Sequence, residues 1–229
     1  MFSIDTQVND YMSIIVTHDC NRDCPFCIDK NRGKPEYITI HNLLNALKYA
    51  KAKDVKDILL VGGEPTLHKD ILLIAKIVKL FRFNLILTTN YTYPDVIKKL
   101  DGIVDSFNIS FYGQHKLPHQ RDFRSDLTLS ALIFKGQLDT KGKLDNFIDK
   151  HQGMSVLKFS TLTDCNDWTS QRQNVEYLDN LECEKVILFN EIIGQIYRGY
   201  IIKRYDRVIN QSAEQSLKCH TNGEIKKTW

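Results

Sequence analysis

The chain has 229 residues, of which 42% are hydrophobic, 26% charged and 10% aromatic, the profile of a globular domain and not of a disordered or fibrous chain. Lysine plus arginine is 31 against 28 aspartate plus glutamate, so the formal charge of +3 gives no indication of a nucleic-acid partner. No stretch is apolar over the length of a membrane span, and MFSIDTQVND lacks the basic and apolar regions of a signal peptide; a cytoplasmic protein with no membrane partner is expected.

In chain order, a strand over 12–17 leads into a cysteine-rich loop, and 38–53 carries Leu43, Leu44, Ala46, Leu47 and Ala50 at helical spacing. A buried-type strand over 57–61 ends at Gly62-Gly63, a helix follows over 71–81, and 83–87 reads as the third strand. A short helix over 93–100 with Pro94 near its start precedes a fourth strand over 106–112. The stretch 113–126, GQHKLPHQRDFRSD, has no apolar period; a loop this long in a compact domain is usually functional, and it is expected to be a substrate-facing lid. Strands over 127–134 and 155–162 flank a helix over 141–151, with a short helix over 174–181 and a further strand over 186–189. The ending is less regular: 192–208 is rich in Tyr and Arg, and Asn222-Gly223 is a strong two-residue hairpin signal.

Strands alternating with helices imply a parallel sheet, whose functional residues belong at the carboxyl ends of the strands. The polar signals sit there. The cysteines follow strand one, Gly62-Gly63-Glu64-Pro65 follows strand two, Thr88-Thr89-Asn90 closes strand three and Ser110 ends strand four.

Six cysteines are too sparse for a disulfide scaffold, and Cys20, Cys24 and Cys27 fall within eight residues of one another. That clustering calls for a metal. With His18 or another histidine the three thiolates make a structural zinc knot; alternatively they hold a [4Fe-4S] cluster whose fourth iron stays open to a non-protein ligand. Cys165, Cys183 and Cys219 are scattered.

Cys20-Asn21-Arg22-Asp23-Cys24-Pro25-Phe26-Cys27 resembles the CxxxCxΦC signature of the radical S-adenosylmethionine superfamily, including the aromatic residue before the third cysteine. Gly62-Gly63-Glu64-Pro65 is similar to that superfamily's GGE motif, and Thr88-Thr89-Asn90 to its TTN ending, in the same order. The resemblance covers about residues 14–160. It implies an α/β fold: a partial parallel (βα)6 TIM-like barrel over 1–190, with a short irregular C-terminal extension, 191–229, packing on the barrel and not forming an independent domain. The cofactors it implies are a [4Fe-4S] cluster on Cys20, Cys24 and Cys27, and S-adenosylmethionine on the open iron. Gly62 and Gly63 would let the backbone approach the methionine end of that ligand, with Glu64 near its ammonium. Phe26 would meet the adenine through its backbone. Thr88, Thr89, Asn90 and Ser110 would serve the ribose and carboxylate, with Lys158 and Ser160 on the same face.

The implied reaction is reductive cleavage of S-adenosylmethionine and hydrogen abstraction from a substrate by the 5′-deoxyadenosyl radical, with a flavodoxin or ferredoxin as electron donor. The substrate is a peptide or protein side chain, or a nucleotide or small metabolite as in the compact 7-carboxy-7-deazaguanine synthases. A third reading is a non-catalytic metal-binding module. The three remaining cysteines are too few for the auxiliary clusters of many peptide-modifying members. Cys219 is a candidate hydrogen-atom donor, as a lone cysteine is in the superfamily's peptide epimerases. The first strand begins too early for a preceding winged-helix module that would bind a leader peptide.

Overall fold

The computed structural model describes residues 11–29, 36–113, 116–188, 192–205 and 217–227. Strands β1 (Tyr11–Thr17), β2 (Asp57–Gly62), β3 (Asn84–Thr89), β4 (Ser106–Phe111), β5 (Asp126–Ile133) and β6 (Val156–Thr161) lie side by side, each parallel to the next. Parallel neighbours need crossover connections. Helices α1 (Ile40–Ala52), α2 (Ile71–Leu80), α3 (Pro94–Leu100) and α4 (Lys141–Lys150) supply four of them. Two of these helices start at a side-chain cap: the Thr39 side chain accepts from the Asn42 amide ahead of α1, and Thr140 from that of Lys143 ahead of α4. Each helix then buries one stripe, Leu43, Ala46, Leu47 and Ala50 on α1 and Leu144, Phe147 and Ile148 on α4.

Alternation along the strands sorts their side chains between two faces. Ile58 and Leu60, Leu85 and Leu87, Phe107 and Ile109, Leu127 and Leu129, and Leu157 and Phe159 join the helices in one apolar core. The opposite, inner face carries Thr88, Asn108, Ser110, Ser130, Lys158 and Ser160, polar residues that a solid core would not accommodate. The expected α/β class and partial barrel are therefore observed, and the sheet does not close.

The expected lid is a correction. Of 113–126, residues 114 and 115 lie outside the described residues; the rest forms the β4–β5 crossover, with one short 3-10 turn (Gln120–Asp122) in place of a helix. Phe123 packs edge-on against Phe107, 6.1 Å between ring centroids, and Leu117 also lies on the core, so the segment covers the outer face of β4. Asp101 accepts from the Arg124 and Ser125 amides, and Gln120 bonds the Leu127 amide and the Ser125 carbonyl, which pins it beside the amino end of β5. An apolar outer face needed covering, and this connection does it without periodic apolar residues.

The strands after β6 lengthen the sheet at both edges, and Tyr197, Tyr200, Leu217, Cys219 and Ile225 pack against the core. β7 (Glu184–Ile187), β8 (Ile193–Tyr197) and β9 (Tyr200–Arg204) form an antiparallel set, with β9 parallel to β6. Arg198 and Gly199 join β8 to β9 with φ of 51° and 83°, the left-handed pair that a two-residue hairpin requires. At the other edge β10 (Leu217–Cys219) pairs in parallel with β1, and β11 (Ile225–Lys226) turns back on β10 through the expected Asn222-Gly223 hairpin. Among the described residues the order is β11-β10-β1-β2-β3-β4-β5-β6-β9-β8-β7. The helix expected over 174–181 is a single 3-10 turn (Glu176–Leu178), Phe189 of the expected last strand lies outside the described residues, and so do 206–208.

Candidate active site

The carboxyl ends of β1, β2 and β3 are laced together by backbone and carboxylate contacts. β1 delivers the loop with Cys20, Cys24 and Cys27, each half-buried and none in a disulfide. A turn from the Cys27 amide to the Cys24 carbonyl, 3.1 Å, brings the last two cysteines round one bend. Flanking pairs hold the loop's ends: His18 Nδ1 lies 2.8 Å from Asp29 Oδ2, and the Tyr37 hydroxyl donates to Asp19 Oδ2 at 2.7 Å. That bond to a carboxylate is the main cause of the raised pKa of Tyr37.

Gly62 and Gly63 press against this loop's root. The Gly63 amide donates to the Thr17 carbonyl at 2.8 Å and the Glu64 amide to the Asp19 carbonyl at 2.8 Å. A Cβ on Gly62 would stand 2.2 Å from Thr17 O, and one on Gly63 2.0 Å from Asp19 O. The glycines thus admit neighbouring protein backbone, a role that the expectation of a ligand at the same place did not include. Glu64, 1% exposed, is held by protein donors: Oε1 accepts from the Thr66 amide and hydroxyl and from the Thr89 hydroxyl, 2.8 Å, and Oε2 from the Asn90 amide, 2.7 Å. Its carboxylate is the knot between the GGEP and TTN segments. Asn90 in turn donates to Asn21 Oδ1 at 2.7 Å, reaching back into the cysteine loop.

The remaining predicted residues spread across the inner face. Thr88 accepts from Asn108, which accepts from Ser130, a polar row over β3, β4 and β5. Ser110 hydrogen-bonds Tyr112, and Lys158 and Ser160 stand on β6. Cys219 is not brought to this face. It is fully buried in the core behind β1, and burial pushes its thiol up to about 11. β10 pairs with β1 so that Cys219 lies opposite Ile14, on the helix side of the sheet, which removes it from reach of a substrate on the inner face.

Sequence reasoning missed an aromatic wall. Phe26 stacks on Tyr112 at 6.0 Å with planes 9° apart, and also contacts Phe134 and Trp168 at 5.9 and 6.0 Å. Arg22 lies over the Tyr112 ring at 4.9 Å, and its Nε is buried with no hydrogen-bond partner. These rings line a pocket of about 370 Å³ that also touches Cys24. Tyr112 is pushed up to about 12, mostly by burial, with the negative charge of Cys24, Glu64 and Cys20 adding to it, so its phenol stays protonated. The wall is assembled from the ends of β4 and β5 and from the short helix α5 (Asp167–Ser170), segments too far apart in the chain for any local pattern to connect them.

The donor set fits an iron–sulfur cluster: three soft thiols on one loop and no disulfide competing for them. The orphaned Arg22 Nε and the aromatic pocket beside Cys24 suit a polar organic ligand next to the cluster.

Residues 14–123 match the family model described as the radical SAM superfamily. The chain belongs to the radical SAM superfamily. Its cofactors are accordingly a [4Fe-4S] cluster and S-adenosylmethionine, and it is an enzyme. Among curated relatives, a GTP 3′,8-cyclase of Campylobacter jejuni is 26% identical over 219 residues, covering 86% of this chain and 67% of that one. A Methanocaldococcus jannaschii protein with a provisional glycyl-radical enzyme activating name is 26% identical over 184 residues, covering 75% and 70%. Among solved structures, Streptococcus suis SuiB bound to the precursor peptide SuiA aligns with a TM-score of 0.65 at 14% identity, over 96% of this chain and 59% of SuiB. The radical SAM chain described here thus spans under two thirds of that structural neighbour, and at this identity the likeness speaks for the fold. No described helix is long and apolar enough to cross a membrane.

Proposed function

We propose that this radical SAM enzyme takes a hydrogen atom from a small metabolite seated on the inner face of the sheet. The observation that carries the reading is the single network in which the Asp19 carbonyl, Glu64, Thr89, Asn90 and Asn21 join the cysteine loop to the ends of β2 and β3. When bound, the cluster and S-adenosylmethionine supply one-electron cleavage of a C–S bond and a 5′-deoxyadenosyl radical. The chain's own residues bind, orient and exclude water. Cys20, Cys24 and Cys27 hold the cluster. The Phe26–Tyr112–Phe134–Trp168 wall keeps solvent from the reacting end, as radical chemistry requires. Thr88, Asn108 and Ser130 offer a row of hydroxyl and amide groups to the ligand, and Ser110 orients the Tyr112 phenol. A small reduced electron carrier such as a flavodoxin or ferredoxin would supply the electron.

A peptide substrate has the fold of SuiB behind it; the small-metabolite reading has the inner-face lysines treated below and a curated relative named for its action on GTP. The test is anaerobic reconstitution with iron and sulfide, then dithionite and S-adenosylmethionine, reading iron per chain and 5′-deoxyadenosine by mass spectrometry. About four irons per chain and slow 5′-deoxyadenosine release are expected, with Cys24→Ala folded but without iron. Stoichiometric zinc without cleavage, or full iron and cleavage in Cys24→Ala, would remove the reading.

A further inference from the structure

Beyond the cysteine end, the inner face carries charge that the cofactor site leaves unused. Lys158 on β6 and Lys203 on β9 stand on neighbouring parallel strands. Ser160 is the register partner of Lys203, and Phe159 that of Ile202. Phe159 and Ile202 are 2% and 1% exposed in the core, so the residues alternating with them, Lys158, Ser160 and Lys203, face inward together. Ser130, the register partner of Lys158, continues the row onto β5.

Both lysines are exposed, and among the described residues neither has a hydrogen-bond or ion-pair partner. The inward positions of β4, β6, β8 and β9 hold no aspartate or glutamate; β5 offers Asp126, at its far amino end, and β7 offers Glu184, two strands from Lys203. Ser160, the register partner of Lys203, has no side-chain hydrogen-bond partner among the described residues. Surrounding walls lower the pKa of both lysines by burial, and Lys203 lowers that of Lys158 further by repulsion. Two cations on adjacent strands with no carboxylate on either strand repel one another, and an anion placed between them relieves that repulsion.

We propose that Lys158 and Lys203, with the Ser160 hydroxyl, form a subsite for the phosphoryl group of a small phosphorylated substrate. A phosphate ester carries about −1.5 to −2 charges with three acceptor oxygens, which two ammonium groups and a hydroxyl match; a carboxylate supplies one charge. The subsite rests on the reading of the inner face as the substrate chamber, and it assigns that chamber a substrate class. It also gives Lys158 a different partner from the S-adenosylmethionine carboxylate.

The test uses the reconstituted full-length protein under anaerobic conditions, with inorganic pyrophosphate as the probe. Amine acylation read by mass spectrometry should show pyrophosphate protecting Lys158 and Lys203 about fivefold or more, with acetate at matched ionic strength protecting neither and Lys48 on α1 unaffected. In calorimetry, Lys158→Gln and Lys203→Gln should each weaken pyrophosphate binding about tenfold while iron per chain stays at the wild-type value. Equal protection by acetate, or pyrophosphate affinity unchanged in both variants, overturns the proposal. So does a Lys158→Gln protein that loses S-adenosylmethionine affinity and keeps pyrophosphate affinity. Protection without any iron loading would leave the subsite standing and remove the radical reading; 5′-deoxyadenosine release without protection would do the reverse.

Discussion

A methyl group on Gly63 would sit 2.0 Å from the Asp19 carbonyl oxygen and 2.8 Å from that of His18, both backbone atoms that cannot rotate away. The junction would have to open, breaking the Gly63–Thr17 and Glu64–Asp19 hydrogen bonds that seat the cysteine loop. Gly63→Ala is therefore expected to lower stability by about 3 kcal/mol, roughly 6–12 °C in Tm for a chain of this size, and to reduce iron retention and S-adenosylmethionine affinity together. Loss of S-adenosylmethionine affinity with normal iron content and Tm would show that the glycine serves the ligand alone. At this scale the sequence was most legible in its motifs, because three cysteines, GGEP and TTN are contiguous strings. What each residue touches was not legible: Glu64 meets Thr89 and Asn90 from a strand 25 residues further on, and Cys219 turns out to face the core because of its register with Ile14. Such partners are set by strand pairing, which no local pattern encodes.

The strands and helices before β4 were legible because each satisfies one local rule: buried-type apolar strands, then apolar residues at helical spacing, with a capping threonine ahead of α1. The β4–β5 connection obeys no such rule. Its two core-packing residues, Leu117 and Phe123, are six positions apart with no large apolar side chain between them, too sparse a pattern to show a helix or strand period. The β8–β9 hairpin was equally hidden, since Arg198 supplies a left-handed φ that asparagine or glycine usually signals. A connection that covers the outer face and a lid over the substrate differ in what a truncation does. Phe123→Ala removes an edge-on partner of Phe107 from a half-buried position, at a cost of about 2–3 kcal/mol. The expected outcome is a lower Tm with unchanged 5′-deoxyadenosine release and unchanged S-adenosylmethionine affinity below that Tm. Unchanged Tm with altered cofactor turnover would restore the lid.

The whole sheet depends on its last residues. β1 carries the cysteine loop yet comes first in the chain, and one of its two neighbours, β10, comes from near the other terminus. Met12–Ile14 pair with Leu217–Cys219, and Leu217, Cys219 and Ile225 all join the core behind β1. Two side-chain bonds fasten the hairpin further: Asn42 Nδ2 donates to the Thr221 carbonyl at 3.0 Å, and the Thr221 hydroxyl donates to Glu36 Oε2 at 2.9 Å. Removing 217–229 would leave Met12 and Ile14 half uncovered and one edge of β1 unpaired, an exposed apolar strand edge of the kind that drives aggregation. Burial of the lost apolar side chains alone is worth about 5 kcal/mol, a large part of the stability of a typical domain. Strain at that edge would pass directly to the thiols, since β1 ends where their loop begins. The truncated chain is therefore expected to have a lower Tm, to self-associate in size-exclusion chromatography, and to keep less than about half of the wild-type iron after anaerobic desalting. Wild-type Tm and iron content would mean that β2 alone holds β1 in place and that the terminal hairpin is dispensable to the site.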